Sequence, residues 1–126
     1  MTTDSKKIIA VIGATGTQGS SVARTFLSLP NWSVRCLTRD PSSDKATKLS
    51  ELGAEIVRAD LEDKESLRQA FNSVHAIFVN TDFWHPYRKA LAAGADSLTS
   101  AKQGYDVEVS HGKNAADVAA SIPTLE

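Results

Sequence analysis

The segment Gly13-Ala14-Thr15-Gly16-Thr17-Gln18-Gly19 constrains this chain more than any other. It follows an apolar run, Ile8-Ile9-Ala10-Val11-Ile12, and leads into residues 20–29, which have helical spacing. Gly13 lets the backbone turn sharply off a strand, Gly16 leaves room for the close approach of another group, and Gly19 lets a helix pack tightly on the strand. The N–H groups of the first helical turn then lack partners of their own, and the helix dipole favours an anion in front of them. Strand, glycine turn and helix in this order are the context in which such a motif holds the pyrophosphate of a dinucleotide. The spacing here is Gly-x-x-Gly-x-x-Gly rather than Gly-x-Gly-x-x-Gly.

The same alternation continues downstream. Residues 7–12 read as a strand buried on both faces. The first helix carries Val22, Phe26 and Leu29 on one side and stops at Pro30. Residues 32–38 form a second strand, in which Cys36 is a small apolar filler. Residues 41–53 fit a second helix with Ser42, Ser43 or Asp44 as its cap, an Ala46, Leu49, Leu52 face, and Gly53 as its stop. Residues 54–59 form a third strand. Asp63 caps a third helix with Leu67, Ala70 and Phe71 buried, and residues 74–80 form a fourth strand. Three strand–helix repeats followed by a strand predict an α/β, Rossmann-like, doubly wound parallel sheet with helices on both faces.

Two strand tips bear on the ligand. An acidic residue at the end of the second strand would bind ribose hydroxyls. This chain has Leu37-Thr38-Arg39-Asp40 there. Arg39 offers a planar donor fork suited to a phosphate, so NADP(H) is the preferred cofactor and NAD(H) the second candidate. Lys45 and Lys48 lie close enough in sequence to add positive potential, with Lys48 better read as a solvated charge. At the third tip, Asp60 either hydrogen-bonds an adenine amino group or makes a turn.

At 126 residues the chain is at most one domain, with a polar tail over 1–6 and the dinucleotide-binding unit over 7–126. A net charge of −1 excludes a nucleic-acid or membrane surface built on bulk electrostatics. The N-terminus lacks the apolar stretch of a signal peptide, and no apolar run is long enough to span a bilayer. The lone Cys36 excludes an internal disulfide and fits a reducing compartment, so the expected location is the cytoplasm, or the nucleus for a regulator. His75, His85 and His111 lack metal-ligand spacing, so no metal site is expected.

The chain resembles the N-terminal part of the NmrA-like family, an atypical branch of the short-chain dehydrogenase/reductase superfamily. The resemblance rests on the glycine turn, Thr38-Arg39-Asp40-Pro41, Ala59-Asp60-Leu61 and Val79-Asn80-Thr81-Asp82-Phe83-Trp84. It covers residues 7–84, with a weaker match over 107–122. It implies cofactor contacts from Gly13, Thr15, Gly16, Thr17, Gln18 and Gly19, from Arg39, from Asp60 and Leu61, and from Thr81, Asp82 and Phe83 beside the nicotinamide-side ribose.

The chain also departs from that family pattern. Residues 85–103 read as a polar, alanine- and serine-rich surface-loop insert without a family counterpart. Residues 104–122 read as a helix with Val109, Gly112, Ala116, Ala119 and Ile122 on one stripe. Ser110 stands where the family often has lysine, while Lys113 is retained. The family's fifth and sixth strands would follow residue 126. The fourth strand is therefore expected to be an open edge, to be covered by a helix, a partner protein or a second copy, and two more strands are expected to raise solubility.

No catalytic residue is assigned. The Tyr-x-x-x-Lys pair is absent, since Tyr87 is followed four residues on by Leu91 and Tyr105 by Val109. These readings favour an NADP(H)-binding, redox-sensing regulator of NmrA-like type. The alternatives are an NADP(H)-dependent oxidoreductase or a truncated inactive fragment of one.

Overall fold

The computed structural model describes residues 6–126, so most of the expected polar tail, residues 1–5, lies outside the described residues. Four parallel strands, β1 (Lys7–Ile12), β2 (Trp32–Thr38), β3 (Glu55–Arg58) and β4 (Ala76–Phe78), form one sheet in the order β3-β2-β1-β4. Strand order reverses between β1 and β4, the place where an open parallel sheet leaves a crevice at its carboxyl end. The expected α/β doubly wound fold is the one observed.

The period-2 pattern of β1 divides the core. Ala10 and Ile12 join Leu67, Phe71, Val74, Ala115 and Val118 on one face; Ile9 and Val11 join Ala23, Val34, Cys36 and Leu49 on the other. Helices α1 (Thr17–Leu27) and α2 (Asp44–Glu51) cover the second face, and α3 (Lys64–Ala70) and α5 (Ser97–Ala119) cover the first. Local chemistry sets the helix ends. The Ser43 hydroxyl accepts from the Ala46 N–H, and the Asp63 carboxylate accepts from Glu65 and Ser66. Gly53, at φ +109°, closes α2 in the left-handed region.

Several expectations need correction. Helix α1 starts three residues early, inside the glycine motif, and ends at Leu27, which leaves Leu29 exposed. Helix α2 spans only Asp44–Glu51, and Leu52 at its C-cap is 51% exposed rather than on the buried face. Strand β4 is three residues long and half-buried.

The largest correction is residues 85–103. They are helical, not a loop: α4 (Trp84–Ala92) and the first turns of α5 occupy them. Alanine at 90, 92 and 93 favours helix without contributing a bulky apolar stripe, which hides the periodicity. Gly94, at φ +100°, ends α4, and the Asp96 carboxylate accepts from the Thr99 N–H at 2.7 Å to start α5. The phase of α5 also differs from expectation. Its buried line is Ser100, Gly104, Ala115 and Val118, while Ala116 points outward.

Candidate functional site

The carboxyl ends of the four strands open into a cavity of about 990 Å³, at the upper end of the range for small-molecule sites. Its floor is apolar, from Ile12, Leu37, Ala59, Leu61 and Leu67. Its rim is polar and comes from every strand tip: the glycine turn after β1, Thr38 to Asp40 after β2, Asp60 to Glu62 after β3, and Asn80 to Asp82 after β4. Helices α4 and α5 close the remaining side with His85, Lys89, Gln103, Val107 and His111.

The glycine turn borders this space with Gly13, Thr15 and Gly16 and leaves backbone donors free on the helix turn that follows. Gly13 is at φ +72°, a conformation glycine adopts without strain. Gly16 donates to the Gly13 carbonyl at 3.0 Å, and Ser20 donates to the Gly16 carbonyl at 2.9 Å. Among the described residues, no acceptor faces the N–H groups of Thr17, Gln18 and Gly19. Gly16 caps α1 without a side-chain hydrogen bond, and the first turn holds no acidic residue. A helix terminus left in this state suits an anion. Gly19 is buried under the turn, where a Cβ would collide with the Gly13 carbonyl.

The acidic residues of the rim are occupied by turns. The Asp40 Oδ1 accepts from the Ser42 N–H at 3.0 Å and from its hydroxyl at 2.6 Å, which holds the carboxyl below its ordinary range. The Asp60 Oδ1 accepts from the Glu62 N–H at 2.9 Å. The Asp82 Oδ1 accepts from the Trp84 and His85 N–H groups at 2.9 and 3.3 Å and so caps α4. Arg39 lines the same cavity, is exposed, and joins no ion pair among the described residues.

Of the residues picked from sequence, Gly13, Thr15, Gly16, Arg39, Asp60, Leu61, Thr81 and Asp82 line one cavity. Thr17 and Gln18 stand exposed on the first turn of α1, and Gly19 lies beneath it. Phe83 stands outside the lining. Its ring stacks on Tyr87 at 5.7 Å, meets Trp84 edge-on at 5.0 Å, and covers Gly104 of α5.

The sequence reading passed over Ser43, Asn80, Lys89, Gln103 and His111, which all line the cavity. Asn80 had a signal, since it occupies the fourth strand tip as Arg39 and Asp60 follow the second and third. The residues of α4 and α5 have none, because their alanine- and serine-rich segment carries no bulky apolar stripe. Among the described residues there is no grouping of three potential metal ligands, and no helix is long and apolar enough to cross a membrane.

Known proteins resemble this chain in sequence and in fold. The oxidoreductase cpsB of Aspergillus campestris, an NmrA-like family domain-containing protein, is 46% identical over 82 residues, which is 65% of this chain and 24% of that protein. The corresponding oxidoreductase himF of Aspergillus japonicus is 49% identical over 76 residues, 60% of this chain and 23% of its own length. The chain thus spans about a quarter of the curated relatives it matches. Among solved structures, NmrA, a negative transcriptional regulator in complex with NADP, superposes with a TM-score of 0.70 at 24% identity, over 96% of this chain and 32% of that one. A second NmrA crystal structure contains NAD and gives a TM-score of 0.69 at 24% identity, over 95% of this chain and 31% of that one. The NmrA-like family model matches residues 5–122 and runs through 85–103, the stretch expected to be an insert. With the glycine turn, the sheet order and that match in agreement, the chain belongs to the NmrA-like family.

Proposed function

We propose that this chain binds NADP(H) across the carboxyl edge of its sheet. One observation carries the reading: Gly13, Thr15 and Gly16 of the glycine turn line one cavity with Arg39, on adjacent strand tips, beside a helix terminus whose first N–H groups have no partner among the described residues. The turn would hold the pyrophosphate, and Arg39 would take the 2′-phosphate through its planar donor fork. Asp60 and Leu61, after β3, would meet the adenine, and Thr81 and Asp82, at the far tip after β4, would meet the nicotinamide ribose; all four line the cavity. Asp40 is turned towards Ser42, whose N–H and hydroxyl both donate to its Oδ1.

Nucleotide-sensing regulation is the use of this site that we put first. Neither tyrosine reaches it: Tyr87 stacks on Phe83, and Tyr105 is 64% exposed on the outer side of α5. The second reading, an NADP(H)-dependent oxidoreductase, draws on the curated relatives, several of which are named as oxidoreductases. A bound nicotinamide would supply hydride chemistry, and this segment would supply binding and orientation.

Isothermal titration with NADP⁺ and NAD⁺ tests the proposal. NADP⁺ is expected to bind more tightly than NAD⁺, and Arg39→Ala is expected to weaken NADP⁺ alone by roughly 1.5–3 kcal/mol. Equal affinity for the two nucleotides would remove the role given to Arg39. A folded sample that binds neither would remove the function. NADPH consumption with carbonyl or ene substrates would favour the oxidoreductase over the regulator.

A further inference from the structure

Helix α5 holds the loop after β3 at three successive turns. The His111 Nε2 stands 3.4 Å from the Glu62 Oε1, the Asn114 Nδ2 donates to the Leu61 carbonyl at 2.8 Å, and the Asp117 Oδ2 accepts from the Lys64 Nζ at 3.0 Å. The outer two are side-chain contacts, of which Lys64–Asp117 is an ion pair. The Lys64–Asp117 pair is solvated, at 41% and 63% side-chain exposure, and such pairs contribute little. The middle one is different: it is half-buried and fixes a main-chain group.

The peptide between Leu61 and Glu62 is in fact tied at both ends. Its carbonyl accepts from Asn114, and its N–H donates to the Asp60 Oδ1. The Asp60 carboxylate is therefore oriented by a peptide that α5 orients in turn. Among the described residues, nothing hydrogen-bonds the Asp60 Oδ2 or the Leu61 N–H, and both residues line the cavity. An acceptor and a donor side by side on a fixed loop match the amino group and the ring nitrogen of adenine.

We infer that Asn114 is a positioning residue for base selection: through the Leu61–Glu62 peptide it sets the Asp60 acceptor and the Leu61 donor against the adenine edge. This deepens, and rests on, the proposed NADP(H) site. Asn114 lies more than fifty residues beyond the loop it holds and does not line the main cavity; with Glu62, Val107 and His111 it lines a smaller pocket beside it. Its effect is on which base is accepted.

The test compares NADP⁺ with its hypoxanthine analogue, in which a carbonyl replaces the adenine amino group and the ring nitrogen carries a proton. The analogue turns donor into acceptor and acceptor into donor, so the wild-type chain is expected to bind NADP⁺ more tightly. Asn114→Ala is expected to shrink that preference by about fivefold, the equivalent of one hydrogen bond, and to leave the NADP⁺ to NAD⁺ ratio unchanged. Asn114→Asp keeps the shape, replaces the donor with an acceptor, and is expected to do the same. Asp117→Ala, on the same helix and the same loop, is expected to leave both ratios alone.

A merely structural role would lower the melting midpoint and weaken both nucleotides together, and that outcome would overturn the inference. An unchanged base preference in either folded Asn114 variant, or no base preference in the wild type, would overturn it as well. If the wild-type chain binds no dinucleotide at all, the proposed function falls first and takes this inference with it.

Discussion

Gly16 and Gly19, three residues apart, answer to different demands. At Gly19 an added Cβ would overlap the Gly13 carbonyl and crowd the Ala14 Cα, and backbone cannot step aside cheaply. At Gly16 the nearest atom to such a Cβ is the Gly13 oxygen at 3.3 Å, and φ is −82°, which alanine accepts. Gly19→Ala is accordingly expected to cost about 3 kcal/mol of stability or more, read from urea unfolding. Gly16→Ala is expected to stay folded and lose about tenfold in NADP⁺ affinity, because its methyl group stands where a phosphate would approach the backbone. Two folded variants with equal affinity would separate the glycine turn from the ligand. The spacing of these glycines was readable in the sequence, but their division of labour was not, because it depends on which atoms the turn folds back upon.

Among the elements, Arg35 does the most unusual job. It sits in β2, and its side chain is only 14% exposed. Its Nε donates to the Glu55 Oε1 of β3 at 2.8 Å, and one terminal nitrogen donates to the Ala70 and Asn72 carbonyls at 2.7 and 2.8 Å. One guanidinium therefore joins two strands to the C-terminal end of α3, where the dipole favours a cation. Arg35→Met would leave those carbonyls without a charged donor. It is expected to lower stability by about 2 kcal/mol in urea titrations, whereas Glu55→Gln, at the exposed end, should change little. A loss below about 0.5 kcal/mol for Arg35→Met would mean that water replaces the guanidinium at no cost. The α4–α5 pair shows the opposite case, an element without a sequence signature. Ser100 and Gly104 face α4 because only small groups fit there, with the Phe83 carbonyl 2.8 Å from where a Gly104 Cβ would stand. A buried line of small and polar residues carries no hydrophobic periodicity, so its phase could not be read from spacing.

At the scale of the whole molecule, Cys36 reports on global opening. It lies in the second strand at 1% exposure, and burial pushes its thiol up to about 11. The folded state thus favours the protonated thiol over the unfolded chain, whose value is near 9.0. This contribution to stability is complete below pH 9 and is lost as the pH rises from 9 through 11. Ellman's reagent at pH 8 is expected to label Cys36 only in denaturant, at the rate of unfolding, and the urea midpoint is expected to fall across that alkaline window. Rapid labelling of the native chain would place the thiol outside the core. The β4 side of the sheet is less exposed than an open edge suggests. Thr124 donates to the Val74 carbonyl at 2.6 Å, Glu126 donates to the His75 carbonyl at 3.0 Å, and Ile122 and Leu125 pack on the core at the beginning of that strand.

The alternation of strand and helix, the glycine turn, the cap at Asp63 and the parallel sheet with helices on both faces were all legible in the sequence. Each rests on interactions within a few residues, or on the handedness every parallel crossover shares. The strand tips were legible for the same reason, since a turn that ends a strand places its residues at the carboxyl edge. Tertiary structure alone decided that α4 and α5 wall the cavity, that Phe83 packs on Gly104 instead of lining it, and that Asn114 holds the Leu61 carbonyl across a separation of fifty-three residues. Those facts depend on the packing of whole elements, and a contact between residues so far apart leaves no local period for a single sequence to display.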